Sequence, residues 1–266
     1  MNTPADIPRD FQTSVEGRTF ETGIFLPQDD AHWFTRPPRY PARLLLLSNR
    51  WLSIVPHPAS GLRTVDLNLD ELVQLETAGI LLIGWIQFTT RRSTERVDYN
   101  TRTGWVVDKF MAALRVRWLG EPSPKGTASS KMFGAELDIK FRNLLLHELD
   151  RNEAVLLQCF TPPIKVQKRF LGLRRVSWRP GHLVALTSGN RLLWLKDEYR
   201  NRWERYAGIA VSVPTSLFQS SKMEASPSQE ELIFHFLSGT SWRISIFWAA
   251  SDWIGFADAL SHCLAP

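Results

Sequence analysis

The residues best placed to do chemistry in this chain are cations. From Ala154 through Lys196 there is no Asp or Glu, whereas Lys165, Lys168, Arg169, Arg174, Arg175, Arg179, Arg191 and Lys196 fall within that stretch. The formal net charge of +5 is therefore concentrated locally. Clustered Arg and Lys supply charge-assisted donors to phosphate oxygens and, beside a membrane, an attraction of about 1 kcal/mol per residue. Lys165, Lys168, Arg169, Arg174 and Arg175 are the candidate anionic-ligand residues on this ground. The same residues also fit a plainer pattern, cations alternating outward along a strand as solvated protection of its edge.

Other chemistries find less support. The six histidines (His32, His57, His147, His182, His235, His262) have neither the i, i+4 spacing of a helical zinc pair nor a nearby cysteine partner. Cys159 and Cys263 are the only cysteines, and in a reducing compartment they read as buried apolar fillers rather than a disulfide. No metal and no cofactor is expected. Asp29-Asp30 and Asp70-Glu71 could offer an acid and a base, but adjacent carboxylates on a loop usually stay solvated. There is no Gly-Xaa-Ser-Xaa-Gly elbow and no phosphate-cradling glycine loop. Trp178, Trp194, Trp203 and Trp242 could stack nucleobases, although alternation with polar residues makes core packing the better account. The expectation is a protein without enzymatic activity. A hydrolase with dispersed carboxylates and a single-stranded nucleic-acid binder are the alternatives.

A chain of 266 residues with 44% hydrophobic and 22% charged residues fits two globular modules, and eleven Trp with fifteen Phe favour strands. The longest apolar run, Ala78 to Ile86, is far shorter than the roughly 20 residues of a spanning helix. The start, with Asp6 and Asp10 and no apolar stretch, does not match a secretory signal. A cytoplasmic location is expected.

The elements that must position these residues are legible as a repeat. An apolar run from His182 to Leu186, the punctuation Thr187-Ser188-Gly189-Asn190 and the run Arg191 to Leu195 predict a hairpin. A weaker copy stands at Leu44 to Leu47, Ser48-Asn49-Arg50 and Trp51-Leu52. Each half ends in an amphipathic helix: Val106, Phe110, Ala113 and Leu114 share one face, as do Trp253, Phe256, Ala257, Leu260, Cys263 and Leu264. Thr103 and Ser251 or Asp252 are the expected caps. Upstream of each hairpin, a strand is expected to end in an aromatic followed by Thr and a proline pair, in Trp33 to Pro38 and in Cys159 to Pro163.

Between hairpin and helix, strands are expected at Val65 to Leu69, Leu72 to Glu76 and Ile80 to Phe88, with a bulge or bend at Gly84. In the second half they are expected at Ile209 to Val213, Leu217 to Met223, Glu231 to Leu237 and Ser241 to Phe247. Residues 119–135, rich in Pro, Gly and Ser, read as a linker. A helix over Glu136 to Asp150 leads from it into a strand over Ala154 to Phe160.

This order is similar to the pleckstrin-homology-like fold. The second half resembles a bacterial pleckstrin-homology-like domain in its wording: Glu153-Ala-Val-Leu as the opening strand, Leu186-Thr187 with Asn190-Arg191-Leu192-Leu193 as the strand-turn-strand phrase, and Val213-Pro214 before the next strand. Ser48 in place of Thr and the extra Ser188-Gly189 depart from that wording. The resemblance implies a mainly β protein with helices: two seven-stranded antiparallel barrels, each closed by a C-terminal amphipathic helix, over 20–118 and 136–266. It implies a binding or scaffolding module whose partner is a protein or peptide or an anionic membrane surface. In that fold the loop after the first strand holds anionic headgroups, and Lys165 to Arg175 would fall near it.

Overall fold

A computed structural model describes residues 6–28, 40–80, 83–122, 131–170, 173–197, 208–226, 229–246 and 250–264. The chain divides into two compact units, Met1–Glu121 and Pro122–Pro266. Both are mainly β.

The first unit opens with a short helix, α1 (Arg9–Gln12). An antiparallel sheet follows, in the order β1 (Thr22–Leu26), β2 (Arg43–Leu47), β3 (Trp51–Pro56), β4 (Val65–Asn68). Next come a three-stranded meander, β5 (Leu72–Ile80), β6 (Ile83–Thr90) and β7 (Thr94–Asn100), and a long helix, α2 (Gly104–Leu119). Strand alternation sends Leu45, Leu47, Leu52, Ile54 and Leu67 inward, where they meet Ile86, Phe88 and Val97 of the meander and Phe110, Met111 and Leu114 of α2. Leu44, Leu46 and Val55 face the other way and pack on Ile7, Phe11 and Val15. A four-residue helix has no stability of its own, so Phe11, buried to 1% exposure, holds it in place. Truncating such a side chain costs about 3–5 kcal/mol.

The second unit contains β8 (Lys131–Gly134), α3 (Ile139–Glu148), β9 (Val155–Thr161), β10 (Ile164–Phe170), β11 (Leu173–Arg179), β12 (His182–Thr187), β13 (Arg191–Asp197) and β14 (Gly208–Pro214). After these come the meander β15 (Phe218–Ser226), β16 (Gln229–Phe236) and β17 (Ser241–Ile246), then α4 (Ala250–Leu264). β9, β12, β13 and β14 are antiparallel neighbours in that order, and β8 runs parallel beside β9. Asp138 caps α3 by accepting the Phe141 N–H at 2.8 Å. The helix lays Phe141 and Leu145 on Phe160, Leu183, Ala185, Leu193 and Leu195. From the same sheet Trp194 stacks on Trp242 of β17 at 5.5 Å. Trp253 of α4 donates to the Thr161 hydroxyl at 2.7 Å and packs on Phe256.

With β8 set aside, helix, four strands, three strands and helix therefore occur twice, and the β10–β11 hairpin is inserted after β9. A helix before each four-stranded sheet covers one side and the core covers the other. Strands buried on both faces lose their alternation, which accounts for the uninterrupted Leu44–Leu47 and His182–Thr187 runs. Among the described residues the strands pair into open sheets rather than a closed barrel. Layers on both faces bury the β2–β3 and β12–β13 strands without their sheets having to curl into a barrel.

Several local expectations are corrected. Lys131–Gly134, within the expected linker, is strand β8, seated by its parallel register with β9 from Leu157 to Phe160. Thr103 does not cap α2 with its side chain; its hydroxyl donates to the Asn100 carbonyl at 2.8 Å. Ser251 and Asp252 lie inside the first turn of α4, where the Asp252 charge complements the helix dipole. The register stays unbroken through Gly84, whose place is set by the Tyr99 ring: a Cβ there would sit 2.5 Å from Cζ. Cys159 is buried as expected, but Cys263 is exposed, because the last turn of α4 runs past the core. The Trp33-to-Pro38 phrase lies outside the described residues.

Candidate functional site

The candidate cations are carried by the β10–β11 ribbon, a hairpin in register from Ile164↔Arg179 to Phe170↔Leu173 that forms a two-stranded sheet of its own. Lys165 faces Trp178 across one rung, and Gln167 faces Val176 across another. All four are exposed, Val176 to 46% and Trp178 to 39%. Ile164, Val166 and Arg179 of the alternate rungs are half-buried. One side of the ribbon therefore presents a basic and apolar surface, while the other is partly covered.

Lys168 pairs with Arg175 and Arg169 with Arg174 along the backbone; the side chains of these four lie outside the described residues. The two rungs are consecutive, and consecutive rungs alternate between the faces of a ribbon. The Arg169–Arg174 rung shares its face with Lys165 and Trp178, whereas the Lys168–Arg175 rung belongs to the other. Trp178, which sequence reasoning assigned to the core, and Val176, which it did not single out, are also members of this surface. Their signal is the i, i+2 spacing with Arg174 in a strand, Leu-Arg-Arg-Val-Ser-Trp-Arg, that has no clean apolar face.

The other prominent cation, Arg191, is spent inside the protein. It opens β13 after Asn190, a left-handed turn residue with φ 57°. Its Nε and Nη2 donate to the two carboxylate oxygens of Glu153 at 2.8 and 2.6 Å. Its Nη1 reaches Ser212 at 3.0 Å, and Nη2 also donates to the Glu148 carbonyl at 2.5 Å. Thr187 donates to the same carboxylate, and so does the Asp150 N–H at 3.0 Å. Burial pushes the Glu153 carboxyl up, but hydrogen bonds and charge from Arg191, with help from Thr187 and the Asp150 N–H, outweigh it and hold the carboxyl below its ordinary range. Gly189 is required here, because a Cβ would collide with the Glu153 carboxylate. The network ties the strand preceding the ribbon to the hairpin following it. In the first unit, Arg50 precedes β3, is exposed, and lies 4.0 Å from Asp70. The repeat thus copies the shape of the hairpin and not its chemistry.

Several other titratable groups are also occupied structurally. His182 is buried beside Trp194, whose indole N–H points at Nδ1 at 3.4 Å; burial, helped by the Lys196 charge, lowers its pKa to about 4. Lys196 itself covers the Trp194 ring at 4.7 Å. Asp197 is paired with Lys140. Burial drives the Cys159 thiol far up, with Asp252 adding to the effect. Glu71 of the Asp70-Glu71 pair bonds Arg92 at 3.2 Å at the surface, and Asp29-Asp30 lie outside the described residues. Trp194 and Trp242 are core residues as expected, Trp178 is exposed, and Trp203 lies outside the described residues. Among the described residues no three His, Cys, Asp or Glu side chains come together as metal ligands, and no helix is long and apolar enough to cross a membrane. No protein-family model matches the chain, and no curated protein matches it either.

Proposed function

We propose that this protein is a non-enzymatic interaction module of two pleckstrin-homology-like units, and that the second unit docks on an anionic membrane surface through the outer face of the β10–β11 ribbon. The observation that carries the reading is that face, where Lys165, Val176 and Trp178 are all exposed on a hairpin inserted after β9. A cation attracts anionic headgroups, and Trp favours the boundary between headgroup and acyl chain. The order of four strands, three strands and a C-terminal helix in both units supports the pleckstrin-homology-like assignment. Binding is favoured over catalysis because Glu153 and His182, whose pKa values are displaced, are committed to buried structural contacts.

Co-sedimentation of the full chain with vesicles of phosphatidylcholine, alone or mixed with phosphatidylserine, tests the reading. The bound fraction should rise with phosphatidylserine and fall steeply with salt, as the screening length shrinks from about 10 Å at 0.1 M to about 3 Å at 1 M. Reversing one cation with Lys165→Glu should weaken binding by about 2 kcal/mol, or roughly 30-fold. Equal binding to neutral and anionic vesicles, or none to either, would sink it.

A further inference from the structure

We propose that the open edge of β4 in the first unit is a docking site for an extended peptide, which adds as a fifth strand and places a Lys or Arg side chain in the cavity beside that edge. This inference rests on a different unit from the membrane reading and on independent observations.

Among the described residues β4 pairs with β3 alone and ends its sheet. The Leu69 N–H donates to the Arg50 carbonyl at 2.9 Å, in step with the Leu52↔Leu67 and Ile54↔Val65 rungs. Antiparallel hydrogen bonding alternates along a strand, so the main-chain groups of Val65 and Leu67 serve β3 while those of Asp66 and the Asn68 N–H point to the open side. The outward N–H and C=O of Asp66, with the outward N–H of Asn68 two residues on, are the template for one more strand, while the Asn68 carbonyl opens the short helix Leu69–Glu71. An extended peptide presents N–H and C=O groups in the alternating register of a strand, which a lipid surface does not.

A cavity of about 250 Å³ adjoins this edge, walled by Trp51, Asp66, Asn68, Glu71, Thr90 and Arg92. That is room for a single long side chain. Trp51 is 48% exposed and offers its ring to a cation. Asp66 is already bound by Arg18 at 2.6 Å. Glu71 is paired at 3.2 Å with Arg92, whose side chain is 81% exposed, so an incoming cation competes with a solvated partner for the carboxylate. A carboxylate with a displaceable partner beside an aromatic face selects a Lys or Arg from the incoming strand.

The probe is a pair of fluorescein-labelled hexapeptide pools, fixed as Arg or as Glu at the third position, titrated into the full chain by fluorescence anisotropy. The Arg pool should bind at least about tenfold more tightly, and Glu71→Arg should reverse that preference. Relative to Asn68→Ala, Asn68→Pro removes only the outward N–H: the φ of −77° suits proline and the N–H serves no β3 bond. Asn68→Ala is the control, because both changes lose the bond from the Asp70 N–H to the Asn68 side chain. Asn68→Pro should bind the Arg pool about tenfold less tightly than Asn68→Ala. Hydrogen exchange on the unaltered chain gives a readout that no variant's folding can obscure, since the Asp66 and Asn68 amides should become protected when the Arg pool is added. Failure of both pools to bind, equal affinity of the two Asn68 variants, exchange unchanged at both amides, or self-association of the chain through this edge would each overturn the proposal.

Discussion

Replacing Arg191 by Met should unfold the second unit far more readily than any surface change. Methionine keeps the apolar stem but strands the Glu153 carboxylate, the Ser212 hydroxyl and the Glu148 carbonyl, which Arg191 now serves with four hydrogen bonds. Removing one partner of a buried ion pair costs about 3–5 kcal/mol, a hundredfold to a few thousandfold in the folding constant. The pH dependence carries a sign that packing loss alone would not. In the native protein the Glu153 carboxyl is held below its unfolded value of about 4.3. Its contribution is therefore present above that value and lost as pH falls through the lower, folded one. Without Arg191, burial dominates and pushes the carboxyl up, so acid protonates and relieves it. Urea unfolding followed by circular dichroism at pH 7 and pH 5, with hydrogen exchange over 182–197 to assign the transition, should show a large deficit at pH 7 that narrows at pH 5. Adding Glu153→Leu to Arg191→Met should recover most of the loss, since the stranded charge goes with it. A deficit under about 1 kcal/mol at pH 7, or the same deficit at both pH values, would refute this account of the network.

Three further outcomes follow from particular contacts. His182 titrates at about 4 in the fold against 6.5 unfolded, so the unfolded chain binds the extra proton between those values and stability should fall by roughly 3 kcal/mol as pH drops through that window; His182→Phe should flatten the dependence in urea melts. Gly84→Ala drives a methyl into the Tyr99 ring and should cost about 1–3 kcal/mol, read as a lower thermal midpoint; an unchanged midpoint would mean that the ring moves aside freely. Iodoacetamide should alkylate Cys263 in the native protein and spare Cys159 until urea is added, because one is exposed and the other buried.

The sequence disclosed most of the fold through its periodicities. The α2 and α4 stripes are legible because an amphipathic helix repeats every three to four residues, and Phe110, Leu114, Trp253, Phe256 and Leu260 are buried as that spacing requires. Continuous runs such as Leu44–Leu47 indicate strands but not what covers their second face, so α1 was not expected; four residues give too short a window for a helical period. β7 escapes for a related reason: Thr-Glu-Arg-Val-Asp-Tyr-Asn has one buried side chain, Val97, and its pairing with β6 makes it a strand. The candidate site was legible as charge but not as geometry. The run from Lys165 to Arg175 is basic in any conformation, yet a hairpin within it alternates its rungs between faces and brings Trp178 opposite Lys165, a pairing visible only once the register is known. Arg191 carries the opposite lesson. It counts in the basic tally of the sequence, but Glu153 neutralises it within the fold.

Hydrogen exchange of the full chain with and without vesicles containing phosphatidylserine tests the central claim most directly, because it reports both whether the protein binds and where. The account predicts added protection over 164–170 and 173–179, no change in α1 or in β2–β3, and loss of the effect with neutral vesicles. Protection confined to other segments, or none at 164–179 under conditions where the protein sediments with the vesicles, would contradict it.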